Sequence, residues 1–262
     1  MKIEPNNIYL GDCLEIMPYI PDKSIDMILA DLPYGCLNKL NKAAQWDCQI
    51  PLLPLWTHYR RIIKDNGAIV LFAQGMFTAE LMKSNPKMWR YNLVWDKVAK
   101  NGFLNAKKMP LRQHEDICVF YKKLPTYNPQ MTKCEPHKRN HSKGNMKKPQ
   151  KNSCYGAFVE LPTIISDEKY PTSIIKVAKE HAVGKFYHPT QKPVALCEYL
   201  IKTYTNEGET VLDNCMGSGT TAVACINTNR NYIGIEKELK YFEIAKKRIE
   251  SVTAVQTELK GV

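Results

Sequence analysis

Three short stretches of this 262-residue chain carry side chains able to do chemistry. The first is Asp31-Leu32-Pro33-Tyr34, which closes the mostly apolar run from Ser24 to Asp31. Proline stops a strand, so the carboxylate and the aromatic ring are held beyond its carboxyl end, where ligands bind in open α/β sheets. The second stretch runs from Glu209 to Cys225, ETVLDNCMGSGTTAVAC. Val211, Leu212 and Asp213 read as a strand end, Gly217-Ser218-Gly219 as a tight turn, and Thr220 to Cys225 as the first turns of a helix. Glycines allow the bend and leave room for a ligand near the main chain and the positive end of the helix. The following strand, Asn231 to Glu236, ends in an acid, where a nucleotide-binding βαβ unit holds ribose hydroxyls. No Lys-Ser or Lys-Thr pair follows the second glycine, which excludes a Walker phosphate loop, and taken alone such a turn is as often only a good turn. The third stretch is Tyr187-His188-Pro189-Thr190-Gln191-Lys192-Pro193, locally a helix start in which Thr190 can cap and Pro193 can sit in the first turn.

These stretches need a frame. Asn7 to Gly11 reads as a short strand, and Ser24 to Asp31 as one of the kind buried on both sides in a parallel sheet. Leu52, Leu55, Trp56, Tyr59 and Ile63 recur at helical spacing and cover one sheet face. After the stop signal Lys64-Asp65-Asn66-Gly67 come the strand GAIVLFA and a short helix from about Phe77 to Lys83. Tyr91 to Lys97 and Asp116 to Tyr121 are two more strands. With those at Val211 and Tyr232 there are seven, alternating with helices, which predicts an α/β fold: a doubly wound, mainly parallel Rossmann-like sheet. From Leu124 to about Lys185 the apolar periodicity is lost among Lys, Asn, Pro, Ser and His, so this segment is expected to be an insertion with its own surface.

Charge singles out the same part of the chain. Of a net charge of +11, an excess of ten falls between Lys100 and Lys151, where thirteen Lys and Arg face three acids. That is the footprint of a surface meeting phosphates, although a charge run alone is more often a solvated loop. Nine cysteines with no C-x-x-C pair read as reduced thiols of a cytoplasmic protein without paired zinc ligands, and no metal is expected. No run of about 18 apolar residues occurs, and the N-terminal segment has no apolar stretch behind its lysine, so neither secretion nor a membrane span is expected.

Together and in this order, Asp31-Leu-Pro-Tyr34, His188-Pro-Thr-Gln-Lys-Pro193 and Leu212-Asp-Asn-Cys-Met-Gly-Ser-Gly-Thr-Thr221 resemble the amino-group DNA methyltransferases of the permuted β type. The resemblance covers essentially the whole chain except the insertion. It implies a catalytic half over residues 1–123, a basic target-recognition insertion over 124–185 and a cofactor half over 186–262. It implies S-adenosylmethionine as cofactor and DNA as substrate, and leaves a homodimer open. Cofactor contacts would come from Asp12, Asp31, His188, Thr190, Lys192, Asp213, Met216, Gly217, Gly219, Thr220 and Glu236, with Glu236 on the ribose; Asp12 serves equally well as a plain turn residue. If the Val211 and Ile28 strands lie side by side, Asp213 and Asp31 meet at one rim of the sheet.

In the chemistry so implied, the target base is flipped out of the duplex at a cost of about a few kcal/mol. Tyr34 would stack on it, and Asp31 with the carbonyl of Leu32 or Pro33 would accept hydrogen bonds from its amino group. No covalent enzyme intermediate is required, so Cys36 and Cys215 read as packing residues. The family pattern usually has proline where this chain has Leu32, which keeps the carbonyl but loosens the turn. Aspartate at the first position resembles adenine-N6 enzymes, with cytosine N4 the second reading and an RNA enzyme or a non-catalytic DNA binder further alternatives. Lys133, Lys138, Arg139, Lys143, Lys147, Lys148 and Lys151 are expected on DNA phosphates.

Overall fold

A chain whose apolar runs are continuous rather than alternating must cover both faces of its sheet, and it does so here with helices. The computed structural model describes the backbone of residues 1–35, 47–140, 149–152, 156–159, 163–179 and 191–260, and the side chains of 1–35, 47–137, 165–179 and 191–256. Two compact units are present, Met1–Asn128 with Ser173–Val262, and Pro129–Thr172.

The larger unit is built on strands β1 (Asn7–Leu10), β2 (Ile25–Ala30), β3 (Ile63–Ala73), β4 (Trp89–Asn101) and β5 (Arg112–Phe120). Further along lie helices α1 (Cys13–Ile16), α2 (Leu52–Ile62) and α3 (Met76–Ser84) between these strands. The smaller unit holds β6 (Thr132–Asn140), β7 (Pro149–Asn152), β8 (Gly156–Val159) and β9 (Thr163–Lys169). The larger unit resumes with β10 (Ile174–Lys176), α4 (Val194–Tyr204), β11 (Thr210–Asp213), α5 (Thr220–Asn227), β12 (Asn231–Glu236) and α6 (Leu239–Lys260).

The central sheet runs β1-β12-β11-β2-β3-β5-β4-β10, with only β5 antiparallel to its neighbours. All seven expected strands are present, and the count is corrected to eight. The additional strand, β10, pairs through Ile174↔Val94 and Lys176↔Asp96 at one edge. Three residues flanked by polar chain offer too little periodicity to read locally. The insertion also contains two antiparallel pairs, β6 with β9 and β7 with β8, where sequence patterning showed no strands.

Alternation within single strands sorts the core onto two faces. Ile28 and Ala30 of β2 pack with Ile69, Leu71, Leu55, Trp56, Tyr59 and Phe77 under α2 and α3. Their neighbours Met27 and Leu29 face the opposite way, with Val70, Phe72, Leu196, Leu200 and Ala224 under α4 and α5. Helix α2 ends at Ile62, so Ile63 opens β3 rather than closing the helical face, and both residues are buried. Gly67 does not stop a helix either. It lies within β3, where a Cβ would come 2.7 Å from the Asp26 carbonyl oxygen, so the close strand approach is what requires glycine.

Candidate active site

Strand β11 lies beside β2 through Val211↔Met27 and Leu212↔Ile28, which brings Asp213 and Asp31 to the same rim. Both line one cavity of about 1120 Å³, together with Gly11, Asp12, Tyr34, Gly217 and Glu236.

On the β2 side, Leu32 is buried and anchors the turn that Pro33 begins to lead away from the sheet. The Tyr34 hydroxyl donates to Asp31 Oδ1 at 2.9 Å, and its ring tilts against Phe77 with centroids 4.9 Å apart. Gln49 Nε2 donates to the Tyr34 carbonyl at 2.9 Å, and the Gly35 amide donates to Asp47 at 3.0 Å, so the chain after β2 is held from two directions. The other Asp31 oxygen, Oδ2, accepts from Lys192 Nζ. Lys192 also stands 3.6 Å from Glu115 Oε2 and over the Phe72 ring at 5.0 Å, while Glu115 Oε1 accepts from Lys97 at 3.1 Å. The result is a chain of two acids and two ammonium groups, neutral in sum, with the Lys97 side chain only 2% exposed.

The charge states follow from this alternation. Burial pushes Lys192 toward neutrality, but Asp31 and Glu115 outweigh it and raise its pKa. Burial likewise pushes Glu115 up, and Lys192 and Lys97 outweigh it and hold it down. At Asp31 burial prevails over Lys192, and its pKa lies above the ordinary carboxylate value. Burial and the Asp31 charge place the Tyr34 phenol well above its usual range, so it stays protonated and donates. With both oxygens already accepting one hydrogen bond each, Asp31 is set up as an acceptor, and a carboxylate has lone pairs for about four.

Across the rim, the turn after β11 is folded onto two acids. Asp213 accepts from Thr221 Oγ1 at 2.6 Å and from the Cys215 amide at 3.1 Å. Glu236 accepts from the Gly217 amide and the Glu238 amide, both at 2.8 Å, and burial raises its pKa. Asp12 caps α1 through the Leu14 amide at 2.9 Å and meets Lys237 at 3.0 Å. Tyr59, from α2, donates to Asn214 at 2.5 Å and pins the turn from below. Thr220 Oγ1 accepts from Arg248 at 2.9 Å.

Asp12, Asp31, Lys192, Asp213, Met216, Gly217, Thr220 and Glu236 all line the cavity; Gly219 does not. With φ +77° and a would-be Cβ 3.0 Å from the Ala245 Cβ, Gly219 has a packing reason of its own, the approach of α5 to α6. Pro193 is the residue before α4 rather than a first-turn residue. Thr190, His188, Cys36, Lys143, Lys147 and Lys148 lie outside the described residues, as do the side chains of Lys138, Arg139 and Lys151. Lys133 is described and pairs with Asp167 at 3.1 Å on the smaller unit. Sequence reading missed Lys97 and Glu115. No local signal marked them, because both strands carry other charged and polar residues near the same end. Among the described residues no His, Cys, Asp and Glu group could hold a metal, and no helix is long and apolar enough to cross a membrane.

Burial pushes the Asp213 carboxyl up to about 7, against the hydrogen bonds from Thr221 and Cys215. A folded-state pKa above the unfolded one means the fold takes up the proton, so the contribution is full below the unfolded value of 3.8 and is lost as pH rises through about 7. Asp213→Asn removes that dependence. Its stability relative to the parent should therefore rise between about pH 4 and pH 7, as read from urea midpoints across that range. A constant difference across the window would mean that Asp213 is ionised throughout.

The model of the N6/N4 methyltransferase family, described as DNA methylase, matches residues 25–247. Among curated relatives, the Type II methyltransferase M2.MboI of Moraxella bovis is 30% identical over 95% of this chain and 89% of its own length. The Type II methyltransferase M.HinfI of Haemophilus influenzae is 27% identical over 94% of this chain and 69% of its own. Of solved structures, the M1.HpyAVI complex with SAM superposes with a TM-score of 0.62 at 26% identity, covering 93% of this chain and 98% of that one. The cytosine-N4-specific PvuII DNA methyltransferase superposes with a TM-score of 0.64 over 97% of this chain and 92% of its own, at 15% identity, a likeness of fold alone.

Proposed function

The chain belongs to the N6/N4 family of DNA methyltransferases, and from that premise we propose that it methylates the exocyclic N6 amino group of an adenine flipped out of DNA. S-adenosylmethionine-dependent DNA methylation is the activity its relatives establish. The observation that carries the reading is Asp31: a carboxylate at the exit of β2 with both oxygens accepting, next to a tyrosine and across one cavity from Asp213 and Glu236.

The cavity fits the cofactor chemically. A sulfonium is cationic, and Asp12, Asp31, Asp213 and Glu236 give the wall an acidic character, while Cys13, Leu14 and Ile50 supply apolar surface. Glu236 would hold the ribose, keeping acceptor capacity beyond its bonds to Gly217 and Glu238. S-adenosylmethionine supplies an electrophilic methyl group. The resemblance would place Thr190 and Lys192 on its methionine part. In the structure Lys192 bonds Asp31, so its first task in this reading is to orient that carboxylate.

An aromatic amine is a weak nucleophile because its lone pair is shared with the ring. Asp31 and the Pro33 or Leu32 carbonyl would accept hydrogen bonds from its two N–H groups, localise the lone pair and stabilise the positive charge that grows on nitrogen, until one of those protons leaves the methylated amine by way of Asp31 to solvent. Tyr34 would stack on the ring, worth roughly 1–3 kcal/mol against the cost of flipping. Cys215 is not set up as a nucleophile: the hydrogen bond with Cys13 and burial hold it well above its ordinary pKa. In this reading the basic residues of β6, β7 and the neighbouring segment contact phosphates.

The test is to express the chain in cells free of other DNA methylation and digest their DNA to nucleosides. N6-methyladenine is the expected product. N4-methylcytosine would overturn the adenine assignment, and neither product would overturn the activity. Sequencing that reads the modified positions then yields the recognised site.

A further inference from the structure

Between β4 and β5 the chain leaves the sheet at Asn101 and returns at Arg112, the two being register partners. The excursion is ordered by its own turns: Asn105 N donates to Gly102 O at 2.9 Å, Lys108 N to Asn105 O at 2.8 Å and Met109 N to Asn105 O at 3.0 Å. A folded turn normally hides its apolar side chains. This one exposes Phe103 by 78%, Leu104 by 82% and Met109 by 57%. Surface apolar groups scattered singly need no explanation, but three on one structured tip do. The charge around them has one sign. From Lys97 to His114 there is no acid, and Lys100, Lys107, Lys108 and Arg112 are exposed.

The position of the tip is equally specific. Asn101, Gly102, Asn105, Met109, Pro110 and Arg112 line the same cavity as Asp31 and Tyr34. The tip therefore stands at the mouth through which a base must enter. A partner that is anionic outside and presents flat apolar faces inside, and that opens when a base leaves, is duplex DNA.

We propose that the Gly102–Leu111 tip is an apolar wedge that enters the duplex stack, Phe103 and Leu104 filling the space the flipped base leaves, with Lys100, Lys107, Lys108 and Arg112 on flanking phosphates. This rests on the DNA methyltransferase reading above. It adds that base extrusion, rather than methyl transfer itself, depends on the tip. Proteins that insert such wedges unstack a base step, and the unstacking is cheapest where pairing is already broken.

The test uses the full chain with Phe103→Ala/Leu104→Ala, on two duplexes bearing the mapped site: one fully paired, the other with an abasic site opposite the target base. On the paired duplex kcat/KM should fall by about 10- to 100-fold, the scale of one to two lost stacking contacts. On the abasic duplex it should stay within about threefold of the parent, because extrusion no longer needs assistance. S-adenosylmethionine affinity by calorimetry should be unchanged, which also reports that the exposed substitutions leave the fold intact. An equal loss on both duplexes, or no loss on the paired one, would overturn the wedge and leave the methyltransferase reading standing. A parent protein inactive on both duplexes would sink that reading and the wedge with it.

Discussion

Asp31→Ala should abolish methyl transfer, by on the order of a thousandfold or more in single-turnover rate, while S-adenosylmethionine still binds. The scale is that of removing one preorganised group aimed at charge developing in a transition state. Its contact to the target amine strengthens only as nitrogen becomes positive, so the loss belongs to the chemical step and not to ground-state binding. The structure adds a consequence. Asp31 holds one end of the ion chain, and its removal leaves Lys192 with Glu115 alone, 3.6 Å away. Lys192 therefore keeps a counter-charge, and the fold should survive the substitution. Calorimetry for the cofactor, gel shift for DNA and quench-flow for transfer separate these effects. Turnover within about tenfold of the parent would remove Asp31 from the chemistry.

Glu115→Gln should cost more stability than any surface substitution in the protein. Glu115 is the carboxylate shared by Lys97 and Lys192; without it Lys192 keeps Asp31, but Lys97, with its side chain 2% exposed, loses its counter-charge. Removing one partner from a buried ion pair costs about 3–5 kcal/mol, because the remaining charge stays buried without compensation. For a chain of this size that corresponds to a fall in Tm of roughly 6–20 °C. The pH dependence has a definite sign. Glu115 is held below its ordinary value of 4.5, so its contribution is present above that pH and is lost as pH falls through the lowered folded value. The gap between parent and variant should therefore be widest near neutrality and close in acid. Adding Lys97→Met to Glu115→Gln should restore much of the loss, since a neutral pair of similar volume does without the buried charge. A Tm for Glu115→Gln within about 2 °C of the parent at pH 7 would show that the chain of charges is solvated.

Both predictions concern a site only half legible in the sequence. Asp31-Leu32-Pro33-Tyr34 and the Val211-to-Glu236 unit announce themselves because an apolar run ending in proline, or a strand, glycine turn and helix, is a local pattern. Strands of the sheet were readable for the same reason: burial on both faces leaves a central strand continuously apolar, as in β2, which is buried along its whole length. Acids at the exits of β2, β11 and β12 were likewise visible as residues.

What only tertiary structure decided is which of these groups touch. Asp31 and Asp213 share a rim because β2 pairs with β11, far along the chain, a long-range contact that no window of sequence contains. Lys97 and Glu115 were unremarkable as charges in a basic region, since a charge is costly only once buried and its partner is set by strand register. Gly219 read as a ligand-facing glycine, and the structure adds a second reason for glycine there, Ala245 on α6, which follows the turn only after α5 and β12. Strand β10 is three residues long and exists only because β4 offers an edge to pair with. Local patterns state what each segment can become; burial and pairing, which depend on segments far along the chain, select the contacts that make the site.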